Sequence, residues 1–267
     1  VGVHLTGELR DGVSAMDAAL TFAQMLRAKG VVGKFVECFG DGVATLSATQ
    51  RACIANMTPE YGCTCTLFPV DDRTLEYLLL TGRDKEQVTL VEAYAKAQGM
   101  WNDGASRVYS EVLELNLSDV KCSLAGPSRP HDRFARSDAR SRFNAICADR
   151  KLDMDKRVAV NFMGTEYELT HGAIAIAAVT SCTTATDPAM MLACGLVAKH
   201  ARERGLLAKP WVKRVMAPGS HATQLMLERA GLAQPLAELG FATCGFGCMS
   251  CIGNSGPVWP EMHEIAG

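Results

Sequence analysis

Stretches of helical apolar period alternate with short apolar runs along almost the whole chain, and this confines it to an α/β architecture. Ser14 is a good N-cap for a helix over residues 14–29, where Met16, Ala19, Leu20, Phe22, Ala23 and Leu26 form one apolar stripe. Gly30 stops that helix. Residues 5–9 and 33–39 read as strands, the second ending in a Gly40-Asp41-Gly42 turn. Ser47 opens a helix to about Met57, with Pro59 just beyond it, and residues 63–70 read as a buried strand. Asp71 or Asp72 starts a helix to about residue 82, and residues 85–98 form another. Residues 107–117 look extended, 123–133 a loop, and 137–149 a helix. Residues 157–169 and 171–179 read as two strands, and Asp187-Pro188 heads a helix to Gly205. A strand over 210–216, helices over 219–231 and 232–239, and a glycine-rich loop over 241–256 complete the pattern. A composition shift near residues 98–104 predicts a division into domains 1–98 and 99–267.

Composition matters chiefly for the cysteines. Eleven in 267 residues, irregularly spaced and without a secretory signal, argue against a disulfide framework. A reducing cytoplasmic setting, with some cysteines serving a metal centre, fits better. Cys38, Cys53, Cys63, Cys65, Cys122, Cys147, Cys194 and Cys244 read as buried small hydrophobes. A formal net charge of −2 gives no electrostatic case for nucleic acid. The apolar run 172–179 is too short to cross a membrane, so no membrane partner is expected. The chain begins at Val1 rather than Met, which reads as a piece of a longer protein.

Three cysteines stand out. Cys182 follows the apolar run 172–179 and precedes the Asp187-Pro188 helix start, a strand-to-helix turn of the kind where α/β sheets bind ligands. Cys248 and Cys251 are separated by Met249-Ser250 in a loop containing Gly245, Gly247, Gly253 and Gly256, which allow backbone to approach a bulky group. A bare Cys-x-x-Cys also fits half a zinc site or a redox dithiol. A zinc site needs a fourth ligand, and His221 and His263 lack compelling spacing for it. Three thiolates on a four-iron cubane would leave one iron without a protein ligand and available as a Lewis acid.

These motifs, together with Lys34-Phe35-Val36-Glu37, residues 54–62 and residues 123–133, resemble the aconitase family from about Leu5 to Pro257. The likeness is nearest to the monomeric branch, which includes cytosolic aconitase and the iron-regulatory proteins. It implies three-layer α/β domains with cluster-binding loops, and a 4Fe-4S cluster on Cys182, Cys248 and Cys251. It places Glu37 beside the open iron, where it would hydrogen-bond the leaving substrate hydroxyl. The implied reaction is the tricarboxylic acid cycle hydro-lyase step, citrate to isocitrate through cis-aconitate, on a small-molecule tricarboxylate. It also implies N-terminal and C-terminal swivelling domains absent from this chain, the latter carrying the serine base. The chain by itself is therefore expected to hold cluster ligands without turning over substrate.

The family's Asn after Ser-Cys-Thr, and its Thr-Ser-Asn-Pro, are replaced here by Thr184-Ala185-Thr186-Asp187-Pro188, which alters the polar surroundings of Cys182. His171 reads as a structural histidine, and Arg129 and Arg133 as structural or domain-contact residues. Within the same class, a 2-methylcitrate dehydratase or an isopropylmalate dehydratase large subunit is the alternative. From other classes, an RNA-binding iron-regulatory protein and a zinc-bound structural domain remain open.

Overall fold

The computed structural model describes residues 1–104, 107–184 and 186–266, with backbone alone at Cys251 and Ala266. They form two compact units, Val1–Ala139 and Arg140–Gly267.

In the first unit β1 (Gly2–Thr6), α1 (Ala15–Lys29), β2 (Phe35–Phe39), α2 (Ala48–Asn56), α3 (Thr58–Tyr61) and β3 (Cys65–Leu67) follow in order. Then come α4 (Asp72–Leu80), α5 (Lys85–Ala97), β4 (Val112–Asn116) and two short strands, β5 (Ser123–Ala125) and β6 (Arg133–Ala135). The four longer-range strands pair in parallel in the order β3-β2-β1-β4. Local chemistry starts the helices as expected. Ser14 and Asp17 form a reciprocal capping box on α1, Ser47 and Gln50 one on α2, and Gly30 closes α1 in the left-handed conformation. Val3, Leu5, Val36 and Cys38 join Ala15, Ala19, Phe22 and Leu26 in the core. Strand residues alternate faces, so Gly2, His4, Glu37 and Phe39 share the opposite face.

The division expected between residues 98 and 99 falls inside this unit. The cause is non-local: β4, beyond that point, pairs along its full length with β1. The first strand also starts earlier than expected, because residues 2–6 carry the ladder. The expected loop 123–133 is bounded by β5 and β6, paired antiparallel. Arg133 Nε donates to Ser123 Oγ at 2.8 Å and its Nη1 to Gln24 Oε1 at 3.1 Å, the structural role expected of it.

The second unit holds most of α6 (Ala139–Asp149), then β7 (Val158–Phe162), β8 (Thr165–Leu169), β9 (Ile176–Thr180), α7 (Pro188–Glu203) and β10 (Lys213–Ala217). It ends with α8 (His221–Arg229), α9 (Ala233–Glu238) and α10 (Pro260–Ala266). The single strand expected over 157–169 is a hairpin, β7 against β8, turning through Met163 and Gly164 with φ of 52° and 81°. β9 and β10 pair in parallel, Ile176 opposite Lys213 and Thr180 opposite Ala217. One apolar cluster gathers Phe162, Trp211 and Met262; another gathers Met191, Met216, Leu227 and Leu236. No helix among the described residues is long and apolar enough to cross a membrane.

The eight cysteines expected in the core divide. Cys38, Cys53, Cys63 and Cys147 are buried, Cys65 and Cys122 are half-buried, and Cys194 and Cys244 are exposed. Cys194 sits on the outward side of α7 and Cys244 in the loop after α9, positions that no apolar period identifies.

Candidate metal centre

β9 delivers the chain to Cys182 at the carboxyl end of the β9–β10 pair, and Ser181 N–H still donates to the Ala217 carbonyl at 3.3 Å. The Cys182 carbonyl then becomes a hub. Ser181 Oγ donates to it at 3.0 Å and Thr186 Oγ1 at 2.9 Å. Thr183 Oγ1 reaches the neighbouring strand's turn and donates to the Gly219 carbonyl at 2.6 Å. Gly219 is glycine for a steric reason: a Cβ there would lie 2.8 Å from the Cys182 carbonyl oxygen. Asp187 N-caps α7 through Ala189 N–H at 3.3 Å, and burial raises its carboxyl pKa despite that bond. Ala185 lies outside the described residues.

The second cysteine loop lies on the same turn. Thr243 bridges Met216 of β10 in parallel, Cys244 N–H donates to the Met216 carbonyl at 3.0 Å, and Gly247 N–H donates to the Pro218 carbonyl at 2.9 Å. Pro218 and Gly219 are therefore the meeting point: one carbonyl holds the segment entering Cys248, and the next residue packs on the backbone of Cys182. Met249 folds back over Gly245, and Asn254 N–H closes the loop on the Met249 carbonyl at 2.8 Å. Ser250–Ile252 makes a short 3₁₀ turn packed near β9. Cys182 is half-buried and Cys248 exposed; the Cys251 side chain lies outside the described residues. No group of three cysteine, histidine, aspartate or glutamate side chains is gathered among the described residues.

Two further atoms bear on what this site would hold. The hydroxyls of Thr180 and Ser250 are buried without a hydrogen-bond partner. Thr180 precedes Cys182 by two positions, and Ser250 lies between Cys248 and Cys251. A buried hydroxyl left unpaired costs about 1–3 kcal/mol, so these donors call for an acceptor. Thiolates and sulfides supply one. The thiols, the bare turn at Gly219 and the two orphaned hydroxyls together fit an iron–sulfur cluster.

Of the histidines considered for zinc, His221 stacks on Phe246 with ring centroids 4.1 Å apart, and His263 lies on α10. His171 lines a small separate cavity with Lys156, Leu169 and Ile265.

Glu37 stands in the first unit, half-buried on the face of β2 turned away from the core. Arg107 Nε lies 3.6 Å from its carboxylate. The neighbouring Tyr109 hydroxyl is enclosed beside Glu37, and its pKa is raised by burial first and by the Glu37 charge second. Phe39 stacks between His4 and Tyr109 at 5.0 and 4.9 Å. His4 Nδ1 in turn meets Glu114 Oε2 at 2.6 Å. A cavity of about 530 Å³, lined by His4, Phe39, Asp41, Asn102 and Arg107 among others, opens at the carboxyl ends of β1 and β2. His4, Arg107 and Tyr109 carry no motif; the β1–β2 register sets His4 on the face of Glu37, and the segment leading into β4 carries Arg107 and Tyr109.

The model of the aconitase family (aconitate hydratase) matches residues 1–266. This chain belongs to the aconitase family. Its relatives include aconitate hydratase A of Salmonella typhimurium, 51% identical over 271 residues, and of Escherichia coli, 50% identical over 273 residues; each alignment takes in 100% of this chain. Aconitate hydratase A of Deinococcus radiodurans is 49% identical over 270 residues, 98% of this chain. The chain spans about 30% of the length of each of these relatives. Family membership and the alternating helices and parallel sheets agree on an aconitase-like α/β fold.

Proposed function

We propose that the complete protein to which this chain belongs is a cytoplasmic aconitate hydratase, a hydro-lyase that converts citrate to isocitrate through cis-aconitate. In this reading the chain carries the cluster cysteines and one carboxylate of the active site. The observation that carries it is the convergence of the Cys182 turn and the Cys248 loop on Pro218-Gly219 in a chain about half identical to proteins named aconitate hydratase A.

Cys182, Cys248 and Cys251 would hold a 4Fe-4S cluster as thiolates. When bound, such a cluster with one iron free of protein thiolate supplies Lewis acidity toward substrate oxygens. Thr180 and Ser250 would donate their unpaired hydroxyls to sulfur, which stabilises negative charge there. Glu37, with Arg107 beside it, would hydrogen-bond and orient the departing substrate hydroxyl. The base that takes the substrate proton is assigned to the rest of the complete protein. The two units would correspond to the family's cluster-adjacent and cluster-bearing domains.

Anaerobic reconstitution of the complete protein with iron and sulfide tests this. The expected result is a cluster that interconverts between three-iron and four-iron forms by electron paramagnetic resonance and disappears in Cys182→Ser. Citrate-dependent formation of cis-aconitate should accompany it. Stoichiometric zinc with tetrahedral sulfur ligation would overturn the reading.

A further inference from the structure

Phe246 is flanked by Gly245 and Gly247, so between Cys244 and Cys248 it is the one residue whose side chain can anchor the loop. Gly247 also takes a positive φ of 85°, which leaves the approach to Cys248 dependent on anchors from outside the loop. α8 provides two of them. Its first residue, His221, stacks on Phe246 at 4.1 Å with the rings inclined by 36°. Gln224, on the same face one turn later, accepts at Oε1 from Thr243 Oγ1 at 2.8 Å. The loop is thus gripped just before Cys244 and again two residues before Cys248. Cys244, between the grips, and Gly247, just past the second, make their backbone bonds to Met216 and Pro218.

We propose that His221 is a positioning residue for the cysteine loop. By holding Phe246 from the first turn of α8, it keeps Cys248 and the following 3₁₀ turn beside the Cys182 turn, and so sets how tightly the site retains its metal. Gln224 is the second arm of the same clamp. The clamp stands on the ring contact and the hydrogen bond; its consequence for a cluster rests on the function proposed above. A ring-on-ring contact of this kind corresponds to about a threefold to tenfold change in an opening equilibrium.

The test is amide hydrogen exchange on the complete protein, metal-free and cluster-loaded, for wild type, His221→Ala, Gln224→Ala and His221→Phe. In the metal-free protein, His221→Ala should exchange residues 244–248 about threefold to tenfold faster, with peptides from α7 and β7–β8 unchanged. Gln224→Ala should act in the same direction, and His221→Phe, which keeps a ring, should restore the wild-type rate. In loaded protein, iron loss followed by metal analysis and visible absorbance should accelerate in His221→Ala and recover in His221→Phe. Unchanged exchange in His221→Ala would overturn the clamp. Faster exchange with unaltered iron loss would overturn its role in retaining metal. If the wild-type protein takes up no iron, the proposed function fails, while the metal-free exchange still decides whether the clamp exists.

Discussion

Arg51 is nearly wholly buried, and every N–H of its guanidinium has an acceptor. Nε donates to the Leu46 carbonyl, Nη1 to Pro69 and Asp71, and Nη2 to Val43 and Asp71. The pair with Asp71 is bidentate, at 2.8 and 2.6 Å. Removing the carboxylate strands a buried cation, so Asp71→Ala is expected to lower stability by about 3–5 kcal/mol in urea denaturation. A loss within the ~0–1 kcal/mol of an exposed pair would contradict this. Glu111 gives a pH-dependent case. Its hydrogen bonds to Lys29 and then Lys34, at 2.7 and 3.2 Å, hold its pKa below the ordinary 4.5. A depressed carboxylate pKa stabilises the fold above the unfolded value, and that contribution is lost as pH falls through the folded value. Glu111→Gln should therefore soften the acid decline of the urea midpoint and leave its slope near neutral pH unchanged. An identical acid limb in both proteins would contradict the linkage. Neither partnership is legible in the linear order: Asp71 and Asp72 both read as possible helix starts, and the Lys29, Lys34 and Glu111 contacts come from separate segments.

At the scale of elements, α7 shows how far local signals reach. Asp187 and Pro188 announce its start in sequence, and the structure has the cap where expected. Gly195 in its middle carries no such announcement, since glycine weakens a helix by about 1 kcal/mol against alanine. Packing accounts for it. A Cβ at Gly195 would lie 2.7 Å from Leu232 Cβ and 2.9 Å from its Cδ1. Gly195→Ala should gain helix propensity yet lose more to overpacking, for a net cost of about 1 kcal/mol and a lower thermal midpoint. A raised midpoint would show that α7 has room against Leu232. The β7–β8 hairpin reads as one strand for a related reason. Met163 carries positive φ, which methionine rarely adopts, so the turn looks like more strand. The local cues are Gly164 and Asn161, whose Oδ1 accepts from Gly164 N–H at 3.0 Å.

Across the whole molecule, the candidate residues divide between the two units: Glu37 in the first, the three cysteines in the second. The chain covers about 30% of relatives named as aconitate hydratases. Under the function proposed above, the isolated chain is expected to form no cis-aconitate from citrate, even after anaerobic reconstitution, whereas the complete protein is expected to form it. Turnover by the isolated chain at a rate near that of the complete protein would place the base within residues 1–267 and overturn its assignment elsewhere.

What the sequence determined on its own is what depends on neighbours a few residues away. The α/β alternation, the caps at Ser14, Ser47 and Asp187, the stop at Gly30 and the identity of the cysteine motifs all follow from short-range sterics, hydrogen bonding and side-chain chemistry. Only the tertiary structure decided the rest. Parallel pairing of β4 with β1 moved the division of the chain, the segment leading into β4 brought Arg107 and Tyr109 to Glu37, and the bare Gly219 turn let two distant cysteine segments meet. These are contacts between segments far apart in the chain. They are set by sheet topology and by the few ångströms a missing side chain leaves open, and no local pattern encodes either.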